Sequence, residues 1–279
     1  MRKLNIFKTP GEFLDANSKY LEEKEVENNL ILGICAGIKE QSKEQTGSNF
    51  LSVTDNNIVE VISMKTTPRA LISGDYKNDA AIKMITEFYT DKNIKLSNVI
   101  GEKKISEKFA ELINLRQLDK RELLLHQLDK TNNITISNGK FEKSTASNID
   151  LLEKYRADFE IDTFRQSRYK SGELKRDTLD KIKRGFLYDW TDNKNIVSIS
   201  AIMRTTKNTG VIGLVFTPRV YRGKGYATSL VLTLSNEILN QGFSKCVLYT
   251  DKSNPASNHV YKKIGYEPVE EFTDVYFGE

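Results

Sequence analysis

A short glycine loop with two basic residues is the segment of the chain best suited to chemistry. Residues 222–225 read Arg-Gly-Lys-Gly, between the apolar run at residues 211–216 and a helical pattern that starts near Ala227. Glycines let backbone N–H groups turn toward an anion, and a helix N-terminus favours negative charge. Arg222 and Lys224 add two cations at the same place. This pattern predicts a phosphate-binding loop, although two glycines before a helix also suit a simple tight turn.

A second polar segment follows the next apolar run, residues 246–250. Residues 251–258 read Asp-Lys-Ser-Asn-Pro-Ala-Ser-Asn. Asn254 before Pro255 is typical of an N-cap with proline at the first helical position. Val260, Tyr261 and Ile264 follow at helical spacing, and Gly265 is typical of the residue that ends a helix.

Taken in this order, the two segments resemble the signature regions of the GNAT superfamily of acyl-CoA N-acyltransferases. The resemblance covers roughly residues 140–279. It rests on the Arg-Gly-Lys-Gly-Tyr-Ala loop after a strand, and on an asparagine, a tyrosine and a Gly-aromatic pair in residues 254–266. The chain departs from the family at Val220, where the family usually has Gln or Arg. A backbone N–H still serves there, so the departure concerns one side-chain contact.

The resemblance implies both a fold and a reaction. The implied fold class is α/β (α+β), with a GNAT-type mixed, largely antiparallel sheet flanked by helices. The implied co-substrate is acetyl-CoA, whose acetyl group passes by direct attack to a primary amine of a small molecule or a protein. The identity of that acceptor stays open.

The resemblance also implies roles for individual residues. Backbone N–H groups of the loop bind the CoA phosphates, the preceding strand pairs with the pantetheine arm and polarises the thioester, and Tyr261 protonates the leaving thiolate. Tyr261 is otherwise a plain core residue, and Asn254 only an N-cap. The residues assigned to acetyl-CoA are Val215, Phe216, Thr217, Arg222, Gly223, Lys224, Gly225, Tyr226, Ala227, Thr228, Asn254 and Ser257.

The general base is not identified by the sequence. Glu160 and Asp162 are candidates because they lie near the first helices of the C-terminal half, which border the acceptor cleft in this superfamily. Acidic residues there also suit a solvated helix face, and a water relay needs no base. His259 is expected on the surface, and Lys263 is expected in solvent or at a CoA phosphate.

The elements that must position these residues recur along the chain. Helix and strand patterns follow one another in the same order in both halves, which predicts two GNAT-like domains in tandem. We assign residues 1–135 to a degenerate GNAT-like domain and residues 139–279 to the catalytic domain. The polar, asparagine-rich residues 131–138 are the expected linker. In the first half, residues 72–79 read Ile-Ser-Gly-Asp-Tyr-Lys-Asn-Asp, with one glycine and two acids, so we expect no CoA binding there.

Composition and charge argue against nucleic-acid-binding, membrane-spanning and secreted classes of protein. The chain has 279 residues, of which 29% are charged, and a formal net charge of +4. The charge is spread along the chain without a basic block, which gives nucleic-acid binding little support. The apolar runs are too short for a membrane span, and the N-terminus does not read as a signal peptide.

The few cysteines and histidines predict the redox state of the thiols and give no support for a metal site. Cys35 and Cys246 lie in apolar surroundings and are expected to be reduced, which favours a cytoplasmic protein. With two cysteines and two histidines so widely separated, no metal is expected. The oligomeric state stays open. The alternative function is an acyl-CoA-binding sensor or interaction protein without turnover.

Overall fold

The computed structural model describes residues 1–41, 47–66, 68–165 and 167–278. The chain forms two compact units. Unit 1 contains Met1–His126, Tyr249–Asn254 and Pro268–Glu279, and unit 2 contains Gln127–Leu248 and Pro255–Glu267.

The first half of the chain alternates strands and helices. Its elements are β1 (Arg2–Phe7), α1 (Pro10–Glu23), α2 (Asn29–Gln41), β2 (Asn49–Asp55), β3 (Ile58–Lys65), β4 (Arg69–Gly74), α3 (Asp79–Asp91), β5 (Asn98–Glu102), α4 (Lys103–Leu112) and β6 (Gln117–Leu128). The edge strand β1 had no counterpart in the sequence-based prediction.

The second half repeats this order. Its elements are β7 (Lys140–Lys143), α5 (Ile149–Phe164), α6 (Glu173–Lys183), β8 (Leu187–Asp192), β9 (Asn195–Thr205), β10 (Thr209–Phe216), α7 (Tyr226–Asn240), β11 (Lys245–Asp251), α8 (Pro255–Ile264) and β12 (Glu267–Phe277). Each half therefore runs β-α-α-β-β-β-α-β-α-β, as expected for a tandem repeat.

The sheets are mixed and largely antiparallel, which confirms the predicted fold class. In unit 1 the strand order is β1-β2-β3-β4-β5-β12-β6, and in unit 2 it is β11-β10-β9-β8-β7. The pairs β4–β5 and β10–β11 are parallel. The pairs that flank them, β3–β4, β5–β12 and β9–β10, are antiparallel.

The last strand of the chain belongs to unit 1. β12 pairs antiparallel with β5, from Phe272 opposite Glu102 to Tyr276 opposite Asn98. Val275 and Phe277 are buried in the core of that unit. The compact units thus differ from the consecutive ranges 1–135 and 139–279, because strand pairing and apolar burial place the C-terminal segment with β5. That residues 1–135 form a degenerate domain stays a prediction.

Local signals explain where several elements begin. The Thr9 hydroxyl accepts the Glu12 N–H at 3.1 Å, which caps α1. The β8–β9 hairpin turns through Asn193 and Lys194, both with positive φ, as a type I′ turn requires. These features can be predicted from the sequence because capping and turn conformations depend on a few adjacent residues.

Candidate functional site

The start of α7 has the features of an anion site. Gly223 and Gly225 adopt left-handed backbone conformations, with φ of 79° and 80°. Gly225 is the N-cap of α7 and supplies no capping side chain, and the first turn of α7 contains no acid. The first N–H groups of a helix have no partner within it, so this N-terminus presents donors and a positive dipole end.

The two loop glycines have different surroundings. A Cβ added at Gly223 would meet no heavy atom within 4 Å, whereas one at Gly225 would lie 2.7 Å from Ser137 Oγ. The Gly223 side of the loop is therefore open to a ligand, and the Gly225 side is covered by residues 131–138. Sequence reasoning assigned those residues to a linker and missed this contact.

The strand before the loop parts from its neighbour. β10 pairs with β11 at Thr209, Gly210 and Val211, and the pairing does not extend to the last five residues of β10. Against β9, Gly213 lies opposite Ala201 and Phe216 lies opposite Ile199, so β10 carries an extra residue there. Such a bulge redirects main-chain groups away from the ladder.

Leu214 lies in this bulge with φ of 55° and is buried. A left-handed conformation is costly for a branched apolar residue, and such strain clusters at functional sites. Sequence reasoning missed Leu214 as a special position, because nothing in its residue type indicates a positive φ.

The remaining predicted residues of β10 line the same end of unit 2. Phe216 is buried against the Tyr155 ring, with centroids 5.9 Å apart. The Thr217 hydroxyl lies 2.9 Å from the Ser198 hydroxyl. Val215 packs partly buried against the core of unit 2. These contacts hold the end of β10 in place, and Ser198 Oγ also donates to the Phe216 carbonyl at 3.1 Å.

Arg222 is engaged within the protein. Its NH2 group lies 2.6 Å from an Asp162 carboxylate oxygen, and its Nε donates to the Thr217 carbonyl at 2.9 Å. Arg219 approaches the same carboxylate at 3.6 Å. Asp162, a candidate base, is thus an ion-pair partner of the loop arginine.

The other candidate base is paired as well. Glu160 is 1% exposed and makes two hydrogen bonds with the Arg168 guanidinium, at 2.7 and 2.8 Å. Such a two-bonded pair fixes both the position and the orientation of the carboxylate. Neither candidate therefore has a carboxylate without a partner cation.

Tyr261 lies on α8 with its side chain 7% exposed, in the core of unit 2. Its ring packs edge-on against Tyr266, with centroids 5.9 Å apart. Burial raises the pKa of the Tyr261 hydroxyl well above its usual range. The hydroxyl is therefore protonated at neutral pH, as a proton donor must be.

Tyr226 and Lys224 differ in burial. The Tyr226 hydroxyl donates to Asp192 at 2.6 Å and its ring is buried, so only its backbone N–H is available to a ligand. Lys224 is exposed, with its ammonium 5.9 Å from the centroid of the Tyr221 ring. Ala227 and Thr228 are half-buried in the first turn of α7.

The residues at and just before the start of α8 differ in exposure. Asn254 directly precedes the helix, and its N–H donates to the Asp251 carbonyl at 3.0 Å. Ser257 is half-buried, while His259 and Lys263 are exposed. His259 thus has the surface position that the sequence predicts.

Membrane-spanning helices and metal-binding clusters are both absent from the described residues. No helix among them is long and apolar enough to cross a membrane. In the part of the chain that the structure describes, no three His, Cys, Asp or Glu side chains come together as a metal site would need.

Comparison with known proteins identifies the fold. Residues 193–275, which contain both signature regions, match the family model described as FR47-like protein. A GNAT-family acetyltransferase from Colwellia psychrerythraea has 10% identity and a TM-score of 0.61, covering 99% of this chain and 100% of its own. No curated protein matches the sequence.

Two other solved structures agree with that likeness. A GCN5-related N-acetyltransferase from Sphaerobacter thermophilus has 12% identity and a TM-score of 0.59, covering 98% of this chain and 94% of its own. A tandem GNAT protein from the clavulanic acid biosynthesis pathway has 10% identity and a TM-score of 0.59, covering 100% and 99%. The resemblance to the GNAT superfamily is confirmed, and the chain has the tandem GNAT fold.

Proposed function

We propose that this protein is an acetyl-CoA-dependent N-acetyltransferase that acts on a primary amine of a small molecule or a protein. One observation carries the proposal. The N-terminus of α7 has no capping side chain and is preceded by two left-handed glycines, in a loop that follows a strand whose pairing with its parallel neighbour ends early. A phosphate at the helix N-terminus and an extended arm beside the parted strand together fit acyl-CoA.

The pyrophosphate of CoA meets the loop from the Gly223 side, where no side chain blocks its approach. Backbone N–H groups of residues 223–228 donate to its oxygens. Lys224 and Arg222 supply positive charge there. The arm then runs along residues 212–216 of β10, beyond the last residue that pairs with β11.

The reaction is acyl transfer by direct attack. The neutral amine nitrogen attacks the thioester carbonyl carbon, and the C–S bond breaks. The nitrogen then releases to water the one proton that the amide does not keep, and the CoA sulfur leaves as a thiolate that takes up a proton. Main-chain groups at the Leu214 bulge polarise the carbonyl oxygen. Tyr261, whose hydroxyl is protonated at neutral pH, supplies the proton to the sulfur and regains one from water.

The ammonium form of the acceptor loses its proton to water in this proposal. Glu160 is held by Arg168, and Asp162 is held by Arg222 and Arg219. Both carboxylates are engaged in ion pairs, so the proposal assigns neither of them as the base. Turnover should therefore favour amines with a lower pKa.

An amine panel with acetyl-CoA tests the proposal. Thiol release is followed for each amine, with intact protein and with Gly225→Asp as the inactive control. We expect amine-dependent release by the intact protein and background release by the variant. Equal release from both would show that the loop at 222–225 has no part in the reaction.

An acyl-CoA-binding sensor without turnover is the second candidate. The observation in its favour is that both candidate bases are paired with arginines. Tight acetyl-CoA binding without thiol release across the whole panel would select it. In either case, the buried, unbridged thiols of Cys35 and Cys246 are compatible with the proposed cytoplasmic location.

A further inference from the structure

Residues 131–138, which we call the strap, are fixed along unit 2. The Asn132 N–H donates to the Ile264 carbonyl at 2.7 Å, at the end of α8. The Thr131 hydroxyl donates to Asn236 Oδ1 on α7 at 2.8 Å, and Trp190 Nε1 donates to the Asn138 carbonyl at 3.0 Å. A segment predicted as a linker is therefore an ordered part of this unit.

Ser137 joins the strap to the glycine loop. Its hydroxyl donates to the Lys224 carbonyl at 2.7 Å, and its N–H donates to the Ser229 hydroxyl at 2.7 Å. The Ser229 hydroxyl in turn donates to the Gly225 carbonyl at 3.1 Å. The carbonyl groups on both sides of the Gly225 α-carbon are thus held by this small network.

The hydrogen bond from Ser137 to the Lys224 carbonyl also fixes the direction of the Gly225 N–H. In a trans peptide, the carbonyl and the following N–H point in opposite directions. Since the Lys224 carbonyl points at Ser137, the Gly225 N–H points away from the strap. The strap covers one side of the loop, so this N–H faces the side from which a phosphate approaches.

The glycine makes this orientation reversible. A peptide plane between Lys224 and Gly225 can turn over because glycine accepts positive and negative φ with similar ease. The flipped peptide would aim the Lys224 carbonyl oxygen at the phosphate. The Gly225 N–H would then be directed toward the strap.

We propose that Ser137 is a positioning residue, which locks the Lys224–Gly225 peptide so that the Gly225 N–H is presented to the CoA pyrophosphate. This inference rests on the proposed acyl-CoA function and assigns Ser137 a part in it. Ser137 itself contacts the loop and not the reacting atoms.

Ser137→Ala tests this assignment, because it removes the hydroxyl and keeps the N–H bond to Ser229. We expect the acetyl-CoA dissociation constant, measured by calorimetry, to rise about three- to tenfold, as for loss of one oriented hydrogen bond. With S-acetylpantetheine, which lacks phosphate groups, kcat/KM should be unchanged. A merely structural role would affect both compounds alike.

Thr131→Val is the matched control, since it removes one strap hydrogen bond to the same helix about three turns away from the loop. We expect it to leave acetyl-CoA affinity unchanged. If Ser137→Ala binds acetyl-CoA with wild-type affinity, the role of Ser137 is overturned and the proposed function is not. An equal loss of acetyl-CoA affinity in Ser137→Ala and Thr131→Val would also overturn this inference. So would a loss of kcat/KM with S-acetylpantetheine as large as the loss of acetyl-CoA affinity. No binding by the intact protein would overturn the proposed function first and this inference with it.

Discussion

The N-termini of α3 and α7 follow corresponding strands in the two halves, but their chemistry is opposite. At α3, the Asn78 side chain accepts the Ala81 N–H at 3.2 Å, and Asp79 lies in the first turn. Before it, the Asp75 carboxylate accepts the Lys77 N–H at 3.0 Å. At α7, Gly225 is the cap and offers no side chain. The Asn78 side chain therefore occupies one N–H donor at the start of α3, whereas no capping side chain does so at α7.

The strands before these helices have diverged less. β4 and β5 pair over three residues, from Arg69 opposite Asn98 to Leu71 opposite Ile100, just as β10 and β11 do. Beyond this point, the cavity lined by β4, β5 and α2 has a volume of about 10 Å³, room for no more than one water molecule. The main chains of β4 and β5 stay close past their paired residues, since a Cβ added at Gly101 would meet the Ile72 carbonyl oxygen. Little space remains there for a pantetheine arm, which supports the prediction that the first half does not bind CoA.

This difference shows that the caps at a helix N-terminus can differ between two halves that share one order of elements. Capping residues and acids at a helix N-terminus change a few hydrogen bonds and one local charge. The sheet depends on dozens of buried apolar contacts and survives such changes. The prediction that only the second half binds CoA rests on this local chemistry.

Removing β12 should have the largest effect, because it breaks unit 1 itself. Deletion of residues 268–279 removes three buried side chains, Phe272, Val275 and Phe277, from that unit. At roughly 1.5–3 kcal/mol each, their loss of about 5–9 kcal/mol is comparable to the whole stability of a domain. We expect the cooperative unfolding of unit 1 in urea, followed by circular dichroism, to disappear.

The matched control is Val269→Ala on the same strand, where the side chain is 41% exposed. It should unfold like the intact protein. A fragment of residues 1–135 that unfolds cooperatively by itself would show that the first half needs no strand from the end of the chain.

Gly225→Asp should convert the α7 N-terminus to the chemistry of α3. The carboxylate repels the pyrophosphate, and the loss of a charge-assisted contact is worth about 1.5–3 kcal/mol, or up to roughly 150-fold in affinity. Calorimetry of the full chain should give one acetyl-CoA per wild-type molecule and none for the variant at the same concentrations.

Gly225→Ala separates charge from strain in that experiment. Any other residue at this position has to adopt a φ of 80°, and its Cβ lies 2.7 Å from Ser137 Oγ. We expect the alanine variant to bind more weakly than wild type and better than the aspartate variant. Equal affinities for both variants would mean that the backbone conformation, rather than the charge, distinguishes α7 from α3.

Tyr261→Phe should lower turnover about a hundredfold while acetyl-CoA affinity stays unchanged. A positioned acid contributes roughly a hundred- to ten-thousandfold, and the low end applies because thiolate leaves readily. Steady-state and single-turnover kinetics would measure the effect. Tyr266→Phe, which changes the ring packed against Tyr261, is the control and should retain turnover.

The pH profile sharpens this prediction. Because burial raises the pKa of Tyr261, the hydroxyl stays protonated as the pH rises through about 8 to 9, below even the ordinary tyrosine pKa. An alkaline fall in activity within that range therefore belongs to another group and should persist in Tyr261→Phe. Its disappearance in the variant would contradict the raised pKa.

Asp162→Asn should have the smallest effect on acetyl-CoA binding, and it should strengthen that binding rather than weaken it. It frees Arg222 and Arg219 for phosphate, and an exposed ion pair is worth at most about 1 kcal/mol. We expect acetyl-CoA to bind about two- to fivefold more tightly, with turnover retained. Asp158→Asn, an exposed acid on the same helix, should change neither. A hundredfold loss of turnover in Asp162→Asn alone would restore Asp162 as the base.

The order of most elements, though not β1, could be predicted from the sequence alone, as could the candidate anion-binding loop. The residue types at Gly223, Gly225 and the Asn254-Pro255 pair favour particular backbone conformations, and these depend only on residues a few positions away. Turns, caps and helix starts can therefore be predicted without a structure. The predicted strand at 211–216, the loop and the helix after it were found within a few residues of their predicted bounds.

The tertiary structure decided what depends on residues far apart in the chain. It placed β12 in unit 1, put Ser137 on the loop 87 residues away from Lys224, and paired Asp162 with Arg222 across 60 residues. It also gave Leu214 a left-handed backbone that its residue type disfavours. No local pattern records these features, because each is stabilised by contacts that exist only once the sheet and helices have packed.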